Sequence, residues 1–215
     1  MSGHDHDHDH DDHAHPPDED GPLTHYQALE VAVRELLIEK GLFTADDVRA
    51  AIEAMDARNP SRGAEVVARA WVDEGFRERL LADGNAACAE LGFDTGAIRL
   101  AVVEDTEDVH NVIVCTLCSC YPRLLLGLPP DWYKARAYRS RVVREPRTVL
   151  REFGTELPDE VELRVHDSTA DLRYMVLPRR PDGTDGWSEE QLASLVTRDA
   201  LIGVTLPRLP EPAPA

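Results

Sequence analysis

Three of the four cysteines in this 215-residue chain lie within six positions, and this cluster constrains the fold more than any other feature of the sequence. They belong to the segment Cys115-Thr116-Leu117-Cys118-Ser119-Cys120, which has the spacing C-x-x-C-x-C. Three thiols so close in sequence converge within one short loop, whereas the cysteines of small secreted disulfide proteins are spread along the chain. The cluster therefore indicates metal or redox chemistry in a reducing compartment.

A structural zinc site and a disulfide are the common alternatives for such a cluster. Structural zinc has four ligands, and the sequence offers no second half-site, since Cys88, His110 and His166 each stand alone. A disulfide or a thioredoxin-like C-x-x-C pair uses only two of the cysteines and leaves the third without a partner. If the amides of Ser119 and Cys120 lose their protons, the loop offers three sulfur and two nitrogen donors and leaves one octahedral position open.

The charge balance argues against several classes of partner. Lys and Arg number 23 against 41 Asp and Glu, which gives a formal net charge of −18. We therefore expect no clustered basic surface for nucleic acid or anionic lipid. The sequence has no apolar run long enough to cross a bilayer, and its first residues do not resemble a secretory signal. These features predict a cytoplasmic protein that binds neither nucleic acid nor membrane.

The composition divides the chain into four parts. Residues 1–22 form a His/Asp-rich tail that we predict to be disordered, because it has almost no apolar surface to bury. Its six histidines, from His4 to His15, alternate with carboxylates, so the tail either collects cobalt for the cysteine cluster or acts only as a solubilising segment. A helical N-terminal arm (23–93), a metal-binding catalytic domain (94–207) and a Pro-rich C-terminal tail (208–215) follow.

Hydrophobic periodicity predicts the elements within the two central parts. Helices are predicted over 24–40, 45–57, 62–74, 76–91, 131–138 and 145–153, and another is predicted to begin at 188. Extended segments are predicted over 98–102, 112–114, 161–165, 173–177 and 201–206. The β-branched run at 112–114 ends directly before Cys115, so the cluster is expected to begin where a strand ends.

The cluster and its flanks closely resemble the metal-binding region of cobalt-type nitrile hydratase α subunits, a family shared with the metal-bearing γ subunit of thiocyanate hydrolase. The flanks are Val112-Ile113-Val114 before the cluster and Gly127-Leu128-Pro129-Pro130 after it. The resemblance runs from about Thr24 to Pro207. It includes Glu104-Asp105-Thr106, Trp132-Tyr133-Lys134, Tyr138-Arg139-Ser140-Arg141, Val143-Arg144-Glu145 and Trp187-Ser188-Glu189-Glu190.

The resemblance implies an α+β fold, in which the helical arm is followed by a layered α-β-β-α domain. It also implies a metal held by the sulfurs of Cys115, Cys118 and Cys120 and by the backbone amides of Ser119 and Cys120. Family members with Thr at the position of Thr116 usually carry cobalt, and those with Ser usually carry iron. We therefore expect one cobalt(III) per chain rather than iron(III).

The resemblance further implies that Cys118 is oxidised to the sulfinic form and Cys120 to the sulfenic form, while Cys115 remains a thiolate. The reaction implied is addition of water to an organic nitrile to give the amide, with Cys120 and Ser119 as the catalytic residues. Two nucleophiles remain open, a water or hydroxide and the sulfenate oxygen of Cys120.

The same resemblance implies partners for the chain. A nitrile hydratase β subunit, in an αβ or α2β2 assembly, is expected to supply arginines that bind the oxidised sulfurs. An activator that inserts cobalt is also expected. Within this chain, Arg123, Arg173 and Thr116 are the residues expected to lie around the metal ligands or in the substrate pocket, although Arg173 is equally typical of a surface strand.

The sequence departs from the family at two places. Many members have a Trp shortly after the third cysteine, whereas this chain has Tyr121-Pro122-Arg123-Leu124 there. Others have a Gln just before the strand that leads to the site, but the corresponding segment of this chain, Phe93-Asp94-Thr95-Gly96-Ala97, contains no Gln. Two other functions remain as alternatives. One is the metal-bearing subunit of thiocyanate hydrolase, and the other is a non-catalytic metal-binding or redox module.

Overall fold

A computed structural model describes residues 23–210. The His/Asp-rich tail and residues 211–215 of the Pro-rich tail lie outside the described residues, so the predictions made for them remain predictions. The described residues divide into two compact units, with the border between Arg49 and Ala50.

Two amphipathic helices open the described part of the chain. Helix α1 spans His25–Glu39 and begins with a capping box between Thr24 and Gln27. Helix α2 spans Ala45–Asp56 and contains the border between the two compact units. Neither helix contains a buried residue, although both carry large apolar side chains. Exposed apolar surface of this kind is typical of an element that packs against a partner.

The second unit consists of short helices around four strands. Its further helices are α3 (Ser61–Val72), α4 (Glu74–Ala82), α5 (Gly84–Glu90), α6 (Arg123–Leu126), α7 (Asp131–Lys134), α8 (Arg136–Arg141), α9 (Pro146–Glu152), α10 (Glu189–Ala193) and α11 (Arg198–Ile202). Its strands are β1 (Arg99–Glu104), β2 (Val109–Val114), β3 (Glu162–Asp167) and β4 (Leu172–Leu177).

The strands form two parallel pairs, β1 with β4 and β2 with β3. Val112, Ile113 and Val114 on β2 are fully buried, as expected for a strand covered on both faces. In the second pair, Val114 lies opposite Asp167. Helices α4 and α5 pack against β1. This combination of helices and small parallel sheets confirms the predicted α+β class.

The helices α3, α4 and α5 join the core of the second unit. The buried residues Val66, Val67, Phe76 and Leu80 belong to the same core cluster as the strands. Burial of these side chains against β1 and β4 ties the three helices to the domain that carries the cysteine loop.

Three predicted elements differ from the structure. The helix predicted over 76–91 is two helices, because Asp83 ends α4 and its side chain accepts a hydrogen bond from the amide of Ala86 to cap α5. The helix predicted over 131–138 is interrupted at Ala135, which has an extended backbone. The extended segment predicted over 201–206 is wrong at its start, because Thr197 caps helix α11, which continues to Ile202.

No helix within residues 23–210 is both long enough and apolar enough to cross a bilayer.

Candidate metal centre

The cysteine loop begins where the buried strand β2 ends. Cys115 follows Val114 directly and is almost completely buried, with 1% of its surface exposed. Cys118 is exposed and Cys120 is half-buried, so the loop runs outward from the core and then turns back. The strand thus fixes one end of the cluster, as the sequence predicts.

The loop brings the three sulfurs together. All three lie within 4.8 Å of one another. The Sγ atom of Cys118 lies 3.5 Å from that of Cys115 and 3.2 Å from that of Cys120. These distances exceed a disulfide bond of roughly 2.05 Å, so the three groups are free thiols that converge on one point. The backbone amide of Cys118 also donates a hydrogen bond to the sulfur of Cys115, at 3.3 Å.

Side chains from three other elements hold the backbone of the loop. At the end of β3, Asp167 accepts hydrogen bonds from the amide of Thr116, at 2.9 Å, and from its hydroxyl, at 2.5 Å. From α8, Arg139 donates to the carbonyl of Thr116, at 3.3 Å. From α7, the hydroxyl of the buried Tyr133 donates to the carbonyl of Cys120, at 2.9 Å. Both ends of the loop are therefore held in place.

The neighbouring sulfurs perturb one another electrostatically. Hydrogen bonds from the thiols of Cys120 and Cys115 lower the pKa of Cys118, and the amide of Ser119 adds to this effect. Burial is the main cause that raises the pKa of Cys120 to about 12, and its sulfur neighbours act in the same direction, while the positive charge of Arg173 opposes them. The exposed Cys118 is accordingly the more readily ionised of these two thiols.

Cys88, His110 and His166 lie apart from the cluster. Burial raises the pKa of the Cys88 thiol to about 12, as expected for a cysteine that packs in the core like a small hydrophobic residue. The ring of His110 lies between Asp105 and the carbonyl of Gly203, and the ring of His166 lies 2.8 Å from the side-chain oxygen of Asn111. Within residues 23–210, the three clustered cysteines are the group whose geometry suits a metal ion.

A mainly apolar cavity of about 430 Å³ adjoins the cluster. Cys118, Ser119 and Cys120 line it, and so do Arg123 and Arg173, two of the residues predicted to lie around the site. Thr116 lies elsewhere, on the surface, and its side chain bonds to Asp167. The remaining wall is mainly apolar, with Met55, Ile98, Leu100, Leu124, Leu125 and Leu128 among its residues.

Asp167, Tyr133 and Arg139 position the loop but were not singled out from the sequence. Asp167 carried a usable signal, since it is a carboxylate at the end of a predicted strand. Recognising its role required knowing that β3 pairs in parallel with the strand that enters the cluster. Tyr133 and Arg139 carried no such signal, because short helices separated from the loop in sequence bring them to it.

Comparison with known proteins gives a match over nearly the whole described chain. The family model described as "Nitrile hydratase, alpha chain" matches residues 24–205. A nitrile hydratase subunit alpha of Rhodococcus sp is 53% identical over 176 residues, which cover 80% of this chain and 88% of the relative. The low-molecular weight cobalt-containing nitrile hydratase subunit alpha of Rhodococcus rhodochrous is 51% identical over 186 residues, which cover 85% and 89%.

A similar solved structure is that of a recombinant thiocyanate hydrolase comprising partially modified cobalt centres. It superposes with a TM-score of 0.81 at 46% sequence identity, covering 87% of this chain and 92% of that chain. The chain therefore shares its α+β fold with this protein.

Proposed function

The chain belongs to the nitrile hydratase alpha-chain family, and on this premise we propose that it is the metal-bearing subunit of an enzyme that hydrates organic nitriles to amides. One observation carries the proposal. Three cysteine sulfurs lie within 4.8 Å of one another at the end of a buried strand, and two of these cysteines line an apolar cavity. Such a cavity suits a small organic substrate that must approach a metal.

The donor set fits a metal that prefers soft ligands, since the cluster contains only cysteine sulfurs. We assign the sulfurs of Cys115, Cys118 and Cys120 and the backbone nitrogens of Ser119 and Cys120 as the ligands of one cobalt(III) ion per chain. Thr116 and the cobalt-containing relative from Rhodococcus rhodochrous support cobalt over iron(III). When bound, the ion supplies a Lewis acid that polarises a C≡N group or lowers the pKa of a water molecule.

The different exposure of the three clustered cysteines supports a different oxidation state for each of them. Oxidation follows thiolate character and access to solvent. Cys118 is exposed and has a lowered pKa, Cys120 is half-buried, and Cys115 is 1% exposed. We therefore assign the sulfinic form to Cys118, the sulfenic form to Cys120 and the thiolate to Cys115.

We assign Cys120 and Ser119 as the catalytic residues, because both line the cavity in which the substrate would lie. In one route the sulfenate oxygen of Cys120 would attack the nitrile carbon while a C≡N π bond breaks and the nitrogen takes a proton, and a water molecule would then restore the sulfenate and release the amide. In the other route water would attack the carbon and the sulfenate oxygen would accept its proton, while the nitrile nitrogen is protonated to give the amide. The hydroxyl of Ser119 is placed to donate a hydrogen bond to the substrate. Arg173 lines the same cavity, and its positive charge acts on Cys120. It therefore stabilises the anionic form of that sulfur.

The partner of this chain is a nitrile hydratase β subunit. The loop presents Leu117 with 88% of its surface exposed, and Leu128 and Ile98 beside the cavity are also exposed. Apolar side chains grouped around an open site are typical of a surface that a second subunit covers. We further propose that an activator protein inserts cobalt before the site is covered, and that the assembly is αβ or α2β2.

The decisive experiment measures metal content, intact mass and activity on the chain purified with its β subunit. We expect about one cobalt per chain, added mass for three oxygen atoms on the cluster peptide, and conversion of a neutral aliphatic nitrile to its amide. Cys115→Ala should abolish cobalt binding, whereas Cys88→Ala, the matched control outside the cluster, should retain it. A cobalt-loaded enzyme that hydrates no nitrile would contradict the proposal.

Thiocyanate hydrolysis is the second candidate, because the thiocyanate hydrolase structure superposes well on this chain. The same preparation distinguishes the two activities, since thiocyanate hydrolysis releases carbonyl sulfide and nitrile hydration releases only an amide. Higher turnover of nitriles than of thiocyanate is the result we expect.

A further inference from the structure

We propose that the cavity beside the cysteine cluster selects nitriles that carry a carboxylate, and that Arg58 and Arg123 bind this carboxylate. The inference rests on the proposed function, because it names the substrate class of the same site.

The charge of the cavity is opposite to that of the chain. The protein has a formal net charge of −18, yet Arg58, Arg123 and Arg173 all line this cavity, and its lining contains no Asp or Glu. A concave site with charged groups of one sign concentrates ligands of the opposite sign. The cavity therefore favours an anion.

Arg58 and Arg123 have no partner for their charge among residues 23–210, since neither guanidinium group forms a hydrogen bond or ion pair there. Many other arginines of the same region do form ion pairs. Arg77 binds Glu104, Arg141 binds Glu145 and Glu152, and Arg164 binds Glu162. In a chain with so many carboxylates, two unpaired arginines in one cavity indicate a site for an external anion.

The backbones of these two arginines lie against the same glycine in the cavity lining. The amide of Gly127 donates a hydrogen bond to the carbonyl of Arg123, at 3.0 Å, which closes the short helix α6. The Cα of Gly127 also packs so tightly on Arg58 that an added Cβ would lie 2.3 Å from the Arg58 carbonyl oxygen. Arg58 and Arg123 are therefore positioned by contacts with one glycine.

Arg173, the third arginine of the cavity, has a different role. Arg173 belongs to β4 and lines the cavity together with Cys120, so we assign this side chain to the cluster. Arg58 and Arg123 remain available to a substrate, and the apolar residues Leu124, Leu125 and Ile98 line the same cavity. An aliphatic nitrile with a terminal carboxylate matches this combination. A three-atom anion such as thiocyanate would occupy only a small part of about 430 Å³.

The test compares an acid with its neutral isostere on the cobalt-loaded enzyme with its β subunit. The substrates are the anion of ω-cyanobutyric acid and the corresponding ω-cyano carboxamide, which has the same shape without the charge. In the unsubstituted enzyme, we expect a higher kcat/KM for the anion than for the carboxamide. Arg123→Gln or Arg58→Gln should lower the ratio of kcat/KM for the anion to kcat/KM for the carboxamide roughly tenfold to hundredfold, mainly by raising KM for the anion. Arg123→Lys should retain part of the preference.

Arg99 provides the matched control, because it is an exposed arginine outside the cavity lining. Arg99→Gln should leave the ratio unchanged. A second readout is the binding of the ω-cyanobutyrate anion to the metal-free complex by calorimetry, where no turnover occurs. Its affinity should fall in both cavity variants.

Three results would overturn the inference: a preference for the neutral carboxamide, a ratio unaffected by both cavity substitutions, or faster turnover of thiocyanate than of the acid. If the cobalt-loaded enzyme hydrates neither nitrile, the proposed function itself is wrong, so the two failures are distinguishable.

Discussion

The carboxylate of Asp167 holds both the backbone amide and the side-chain hydroxyl of Thr116, across 51 positions of sequence. Asp167 ends β3 and Thr116 follows β2 by two residues, so the parallel pairing of the two strands places the carboxylate beside the cysteine loop. Thr116 acts here as a tether of the loop, because its hydroxyl points to Asp167 and the residue does not line the cavity.

This tether can be tested with a pair of substitutions at Thr116. Thr116→Ser keeps the hydroxyl and should leave cobalt retention close to that of the wild type. Thr116→Val removes the hydrogen bond, and we expect the free energy of unfolding to fall by about 1 kcal/mol and cobalt to be lost faster during dialysis against a chelator. Equal cobalt loss from the two variants would contradict a role for the hydroxyl.

The hydroxyl of Tyr133 supports the other end of the loop. Tyr133→Phe leaves the carbonyl of Cys120 without this donor, and we expect the free energy of unfolding to fall by about 1–3 kcal/mol together with a loss of kcat. Denaturant unfolding and steady-state kinetics measure these effects. Tyr121→Phe is the matched control, because the buried hydroxyl of Tyr121 has no hydrogen-bond partner among the described residues and its removal should not destabilise the fold.

Close packing at Gly127 predicts a steric effect that differs from ordinary backbone strain. Gly127 and Gly154 both have positive φ angles, of 74° and 75°. An added Cβ at Gly154 meets nothing within 4 Å, whereas at Gly127 it meets the backbone of Arg58. We expect Gly154→Ala to cost about 1 kcal/mol of unfolding free energy and Gly127→Ala to cost about 1–3 kcal/mol more. If the two substitutions lowered the unfolding free energy by similar amounts, a clash between a Cβ at position 127 and the backbone of Arg58 would be excluded.

The buried pair of His110 and Asp105 predicts a pH dependence of stability. Burial lowers the pKa of His110, but the hydrogen bond and charge of Asp105 and the carbonyl of Gly203 outweigh burial, so the pKa is raised overall. A raised pKa in the folded state stabilises the protein below the pKa of the unfolded state, about 6.5, and this contribution disappears as the pH rises through the folded value.

Unfolding of the assembled protein should therefore show a contribution from His110 that is present at pH 6 and absent at pH 9. In Asp105→Asn this contribution should be smaller, because the carboxylate that favours the charged ring is gone. For each protein, the unfolding free energy at pH 9 is subtracted from that at pH 6. Comparing this difference between the two proteins cancels the contribution of the other titrating groups. An equal difference in both proteins would contradict the pairing.

Local patterns in the sequence determined most of the helices and strands and the cluster of three cysteines. The spacing of Cys115, Cys118 and Cys120 places three sulfurs in one loop, and the β-branched run before Cys115 identifies the strand that ends there. These features depend on residues a few positions apart, where periodicity and covalent reach limit the possible structures. The same local patterns failed at Asp83 and Ala135, where a cap or an extended residue breaks a helical pattern.

Only the tertiary structure decided which distant residues complete the site. Parallel pairing of β2 with β3 brings Asp167 to Thr116, and close packing of the backbone of Arg58 on Gly127, at the end of α6, places Arg58 at the cavity that Cys120 lines. No local pattern encodes these pairings, because they arise from the burial of whole strands and helices in a common core. The sequence therefore determined the cluster of three cysteines, and the packing of distant elements determined which side chains hold its loop and which charges line its cavity.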